Sequence, residues 1–77
     1  MDIKVLGPGC AKCEKTIALV NEAVAEAGID ARVEKVTDMM AIAGYGVFGT
    51  PAVVIDEEVK CVGKIPQLEE IKDWIRG

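Results

Sequence analysis

An α/β fold whose elements run β-α-β-α-β-β-α is expected from three features of the chain. Two short segments that alternate apolar and polar residues, "DIKVL" and "IDARVEKV", flank a longer one whose apolar positions recur every three or four residues. A continuously apolar run, "AVVI", lies between a glycine-rich loop and an acidic turn, as a buried strand does. A second segment with helical spacing closes the chain.

In order, Ile3 and Val5 alternate with polar neighbours over residues 2–6, and the strand stops at Gly7-Pro8-Gly9. From Cys13 onward, Ile17, Val20, Val24 and Ala27 trace one helical face, and Gly28 is a natural C-terminal stop. Residues 29–36 set Ile29, Ala31 and Val33 against Asp30, Arg32 and Glu34, a strand with one wet face. The right-handed crossover of such a β-α-β unit makes its strands parallel. Thr37 or Asp38 can cap a short helix through "MMAIA", which the glycines of "GYGVFG" end. Ala52 to Ile55 then form a strand, and Asp56-Glu57-Glu58 turns the chain into "VKCVG" as a hairpin. Pro66 opens the last helix, with Leu68, Ile71 and Ile75 on one face and Arg76 near its end.

The chain has 77 residues, 51% hydrophobic and 29% charged, a composition that predicts one compact soluble domain over residues 1–77. A chain this short buries only about 60% of its unfolded surface, so most apolar stretches are needed for packing. A net charge of −4 without a Lys/Arg cluster argues against nucleic acid and anionic membranes as partners and favours a protein. Residues 1–8 read as neither a signal peptide nor a membrane span, and a cytoplasmic location is expected.

The chemistry is concentrated in "LGPGCAKCEKT". Its cysteines, Cys10 and Cys13, have the spacing of a redox dithiol, of a metal-ligand pair or of a short disulfide staple. A staple closing so short a loop would contribute only about 2 kcal/mol. Cys13 shares the apolar stripe of the helix and should face inward. Cys10 precedes the first turn, where unpaired N–H groups and the helix dipole stabilise a thiolate. That makes Cys10 the attacking sulfur and Cys13 the resolving one. The chain has no histidine, so Cys13 must give its proton to water, to a carboxylate such as Glu14, or to the departing thiolate.

The strand, "GPGCAKC" at a helix start, then "YGVFGTPAVVID" and a C-terminal helix together resemble the thioredoxin superfamily, and most closely its small glutaredoxin-like thioredoxins of archaeal and bacterial type. The resemblance covers essentially the whole chain. It implies a thioredoxin-like fold with a central four-stranded mixed sheet flanked by three helices. It also implies thiol–disulfide exchange with Cys10 attacking, Cys13 resolving, and no cofactor beyond a redox-active Cys10–Cys13 disulfide. Pro51 corresponds to the family's cis-proline, and Thr50 before it offers backbone groups to an extended substrate peptide. Gly9, Ala11, Lys12 and Gly49 complete the implied substrate contacts.

The implied partners are disulfide-containing proteins and a protein disulfide reductase as electron donor. Glutathione is the lesser expectation, because "CVGKIP" stands where glutaredoxins carry paired glycines and an acid. Ala-Lys separates the cysteines, unlike the Gly-Pro of the major thioredoxins, and Lys4 falls near the place of their buried acid. The alternative function is a Cu(I) carrier using the two thiolates, since small copper-chaperone domains bear a similar loop. Such domains end in β-α-β, whereas this chain ends in a helix. Elsewhere, Cys61, Met39, Met40 and Trp74 read as packing residues and Lys12 as solvated. Tyr45 and Phe48 flank the Thr-Pro loop, where a partner surface would lie, and Glu57-Glu58 and Glu69-Glu70 read as solvated faces.

Overall fold

A computed structural model of the chain describes residues 1–8 and 11–76. Its elements are β1 (Asp2–Leu6), α1 (Ala11–Ala27), β2 (Arg32–Val36), α2 (Met39–Gly44), β3 (Ala52–Ile55), β4 (Glu58–Val62) and α3 (Leu68–Arg76), the order expected from the sequence. They form a four-stranded mixed sheet in the order β2-β1-β3-β4, with β1 parallel to β2 and both other pairings antiparallel.

Each face of the sheet carries its own core. Ile3, Val5, Val53, Ile55 and Cys61 pack with Val20 and Ala23 of α1 and Ile71 and Ile75 of α3. On the other face, Leu6, Ala52 and Val54 pack with Ile42 of α2 and with Val47. The central strand β3 is covered on both sides and buried at every position, which explains its unbroken apolar run.

The element boundaries depart from the sequence pattern for identifiable reasons. Strand β2 begins at Arg32 rather than Ile29 because its partner begins at Asp2, opposite Arg32, while Ile29 and Ala31 pack against the core edge without a ladder. Helix α1 buries Cys13, Thr16, Val20 and Ala23, leaving Ile17 and Val24 half-buried and Ala27 exposed. Thr16 sits inside because its Oγ1 donates to the Lys12 carbonyl at 2.8 Å, satisfying the hydroxyl within its own helix. Gly28, at φ +65°, ends α1 as expected, its N–H bonding back to the Val24 carbonyl at 3.1 Å.

Asp38 caps α2 by accepting from the Met40 N–H at 3.2 Å. Met39 and Met40 do not pack as expected: they are 62% and 81% exposed, because this short helix turns Ile42 toward the sheet and its first turn away. Helix α3 begins after Gln67, whose N–H donates to Glu70 Oε1 at 3.0 Å. Pro66, expected to open that helix, precedes it as a buried residue.

The hairpin turns on Asp56 and Glu57, both with left-handed φ, +48° and +69°. Asp56 is anchored by two 2.8 Å bonds: its N–H donates to the Asp2 carbonyl and its Oδ1 accepts from the Asp2 N–H. Beyond the turn the register slips, so that Val54 faces Val59 and Val53 faces Cys61. This bulge moves Cys61 to the opposite face from Val59, which is why simple alternation fails there: Cys61 is buried and Val59 exposed. Among the described residues no helix is long and apolar enough to cross a membrane.

Candidate functional site

Cys13 lies in the first turn of α1 and is 1% exposed, facing inward as its place on the stripe predicts. Its sulfur rests on Gly7, just past the end of β1. A Cβ at Gly7 would overlap Cys13 Sγ and come within 3.7 Å of Thr50 Cβ, so three separate segments meet at this glycine. Gly7 is held there by its N–H, which donates to the Val36 carbonyl at 2.9 Å and extends the β1–β2 ladder by one bond.

Thr50 and Pro51 enter the cluster from the segment before β3. Their peptide bond is cis, and Pro51 is fully buried with its carbonyl accepting from the Gly63 N–H at 2.9 Å. Gly49 crosses the same backbone so closely that a Cβ on it would lie 3.3 Å from the Gly63 Cα. Its smallness therefore serves packing between the Thr-Pro loop and the end of β4. Ala11 and Lys12 stand exposed on the first turn of α1. Gly9 and Cys10 lie outside the described residues.

Charges frame the cluster. Lys35 on β2 bonds Glu14 of α1 at 2.6 Å. This bond raises the Lys35 ammonium pKa, with a smaller contribution from charge on Cys13. Lys4 reaches Tyr45 Oη at 2.8 Å and Glu57 Oε1 at 3.1 Å, with its ammonium 5.5 Å from the Tyr45 ring centre. Those contacts, the tyrosine first, hold Lys4 well above its usual value. Burial pushes the Cys61 thiol up, consistent with its place in the core. Among the described residues no group of three or more His, Cys, Asp or Glu side chains is disposed to hold a metal ion.

The end of the sheet where this cluster lies also carries exposed apolar side chains. Phe48, before Gly49, is 93% exposed, and Val62, beside Gly49, is also exposed. Met39 and Met40 add to this end because α2 starts directly after β2, which runs parallel to β1.

A family model for the thioredoxin domain matches residues 1–76. The chain belongs to the thioredoxin family. Among its relatives, a thioredoxin of Methanocaldococcus jannaschii is 47% identical over 75 residues, covering 97% of this chain and 86% of that protein. A thioredoxin of Methanothermobacter thermautotrophicus is 40% identical over 72 residues, covering 94% of each. The general kind of activity this supports is that of a thiol–disulfide oxidoreductase.

Within this thioredoxin frame, sequence reading passed over two site residues. Gly7 read only as a strand-ending glycine; its contact with Cys13 joins segments separated by a loop, which no local pattern shows. Lys35 was legible in principle. Alternation places it on the same face of β2 as Val33, and therefore toward α1 and the cysteine turn.

Proposed function

We propose that this thioredoxin-family chain reduces protein disulfides through Cys10 and Cys13. The Cys10 thiolate attacks one sulfur of the partner disulfide, forming a mixed disulfide and releasing a partner thiolate. Cys13 then attacks Cys10 Sγ, the mixed bond breaks, and the second partner thiolate leaves. Two electrons pass to the partner, and the Cys10–Cys13 disulfide remains to be reduced by a protein disulfide reductase, with glutathione a lesser donor. No cofactor takes part, and the reaction runs in the cytoplasm.

The observation that carries this reading is the seating of Cys13, a sulfur buried in the first turn of α1 against Gly7 and beside Thr50-Pro51. A recessed sulfur is shielded from outside disulfides yet within reach of its neighbour in the CxxC spacing, as a resolving thiol must be. The backbone of Thr50 pairs with an extended segment of the substrate. Ala11, Lys12, Gly49 and Pro51, together with Gly9 outside the described residues, are the further substrate contacts of this reading, and exposed Phe48 supplies an apolar contact.

Trapping tests the division of labour. With a disulfide-bonded substrate protein, Cys13→Ser should accumulate the mixed disulfide, while Cys10→Ser should form none and lose activity. Equal trapping by both variants would contradict the assigned order of attack.

A further inference from the structure

Positive charge is spread unevenly over this acidic chain, whose net charge is −4. Most of its lysines reach a carboxylate of their own: Lys4 holds Glu57, Lys35 holds Glu14, Lys60 holds Glu58, Lys72 holds Glu26, and Lys64 approaches Glu70. The remaining two, Lys12 and Lys15, are exposed and have no ion-pair partner among the described residues.

Their position is unfavourable within the chain itself. Lys12 lies in the first turn of α1 and Lys15 follows three positions later, so the two ammonium groups are neighbours on the helix surface and repel each other. Both also stand toward the end of the helix where the dipole disfavours cations. Glu14, between them in sequence, is drawn away to Lys35 on β2 at 2.6 Å. Asp38, which follows β2 at this end of the sheet, caps α2 by accepting from the Met40 N–H. On α3, Glu69 approaches Lys72, and Glu70 accepts from the Gln67 N–H.

Acids collect at the opposite end of the sheet. There β1 starts at Asp2, which is bonded to Asp56 of the hairpin, and Glu57 and Glu58 follow in that turn. Arg32 lies at this end too, opposite Asp2 in the β1–β2 ladder. The molecule is thus polarised along its strands. Lys12, Lys15 and the exposed Phe48 mark the end that carries Cys13, and carboxylates mark the other.

A carboxylate brought to Lys12 and Lys15 relieves their mutual repulsion. A short acidic segment meets only this cationic end, whereas a long polyanion would overlap the acidic flanks. We propose that Lys12 and Lys15 form a docking site for acidic protein segments, so that the preferred substrates of this chain are disulfides flanked by Asp or Glu. This deepens the oxidoreductase reading above and rests on it. The two lysines steer and hold the partner, and the sulfur chemistry is that of Cys10 and Cys13.

Two synthetic peptides test the site, each closed by one disulfide of the same cysteine spacing, one flanked by Asp and Glu and the other by Lys and Arg. The reduced protein is mixed with each, and the second-order rate constant is read by acid quench and thiol alkylation. Each value is divided by that of the same variant with bis(2-hydroxyethyl) disulfide, which is uncharged, so that changes in cysteine reactivity cancel. The wild type should favour the acidic peptide about tenfold at low salt, and less as salt screens the charges. Lys12→Glu and Lys15→Glu should each remove or reverse the preference, and Lys15→Arg should keep it.

A wild-type ratio near one, or one that favours the basic peptide, overturns the proposal, as does a preference that neither glutamate variant changes. Circular dichroism checks folding. If the glutamate variants do not fold, Lys15→Gln decides, with a ratio lowered about threefold expected and an unchanged ratio contrary. Absence of reaction with all three disulfides refutes the oxidoreductase reading itself, whereas reaction without an acidic preference refutes only the docking site.

Discussion

Gly7 decides how closely the first turn of α1 can approach the end of β1. Its missing side chain is the space that Cys13 Sγ occupies. Gly7→Ala should therefore push the cysteine turn outward and cost about 1–3 kcal/mol, measurable as a lower midpoint in urea. At Gly28 the demand is conformational and comes from a left-handed φ with open space around it, so local pattern sufficed to foresee it. The inward turn of Cys13 was legible for the same reason, from its place on an apolar stripe. The Gly7–Cys13 contact was not, because helical periodicity says which way a side chain points and nothing of what it meets. Phe48 tests the proposed partner surface at this scale. Being 93% exposed, it contributes little to folding, so Phe48→Ser should leave thermal stability nearly unchanged while raising KM for a protein disulfide about tenfold, the equivalent of about 1.4 kcal/mol.

Among the elements, α3 owes its start to Glu70, which accepts from the Gln67 N–H and approaches Lys64 at 3.5 Å. The Gln67 bond, more than the lysine, lowers the Glu70 pKa below its ordinary 4.5. A depressed folded-state pKa contributes stability that is present above the unfolded value and lost as pH falls through the folded one. Melting temperatures followed from about pH 6 down into the acid range should thus show Glu70→Gln less stable than wild type at the upper end, with the two converging as the pH falls through the lowered Glu70 value. The elements also show where sequence pattern runs out. Strand β4 reads as an alternating strand, but the bulge opposite Val53 and Val54 turns Cys61 inward and Val59 outward. The start of β2 was misjudged because the length of a strand is set by its partner, here β1, and alternation at Ile29 and Ala31 only reports packing.

For the whole molecule, two cores on opposite faces of one sheet share β1 and β3, so stability is concentrated in few side chains. A chain of 77 residues has about 4–12 kcal/mol of net stability. Ile71, fully buried where α3 meets α1 and the sheet, should cost about 2–5 kcal/mol on truncation. Ile71→Ala should accordingly lower the melting temperature by at least about 10 °C in differential scanning calorimetry. The order of elements was legible because each has a strong period and clear breakers. The convergence of Cys13 with Thr50-Pro51 depends on the sheet order, which brings β3 beside β1, and so is legible in the sequence only through a family resemblance, while the part of Gly7 in it is not legible at all.

The central claim is that Cys10 and Cys13 form a reversible dithiol–disulfide couple that transfers electrons to protein disulfides. An anaerobic redox titration of the wild-type chain, with thiol alkylation read by mass spectrometry, tests it most directly. The two cysteines should be lost to labelling together, in one two-electron transition that Cys10→Ser and Cys13→Ser each abolish, while Cys61 stays outside the couple. Independent titration of the two thiols, or no intramolecular disulfide together with tight Cu(I) binding, would contradict the claim.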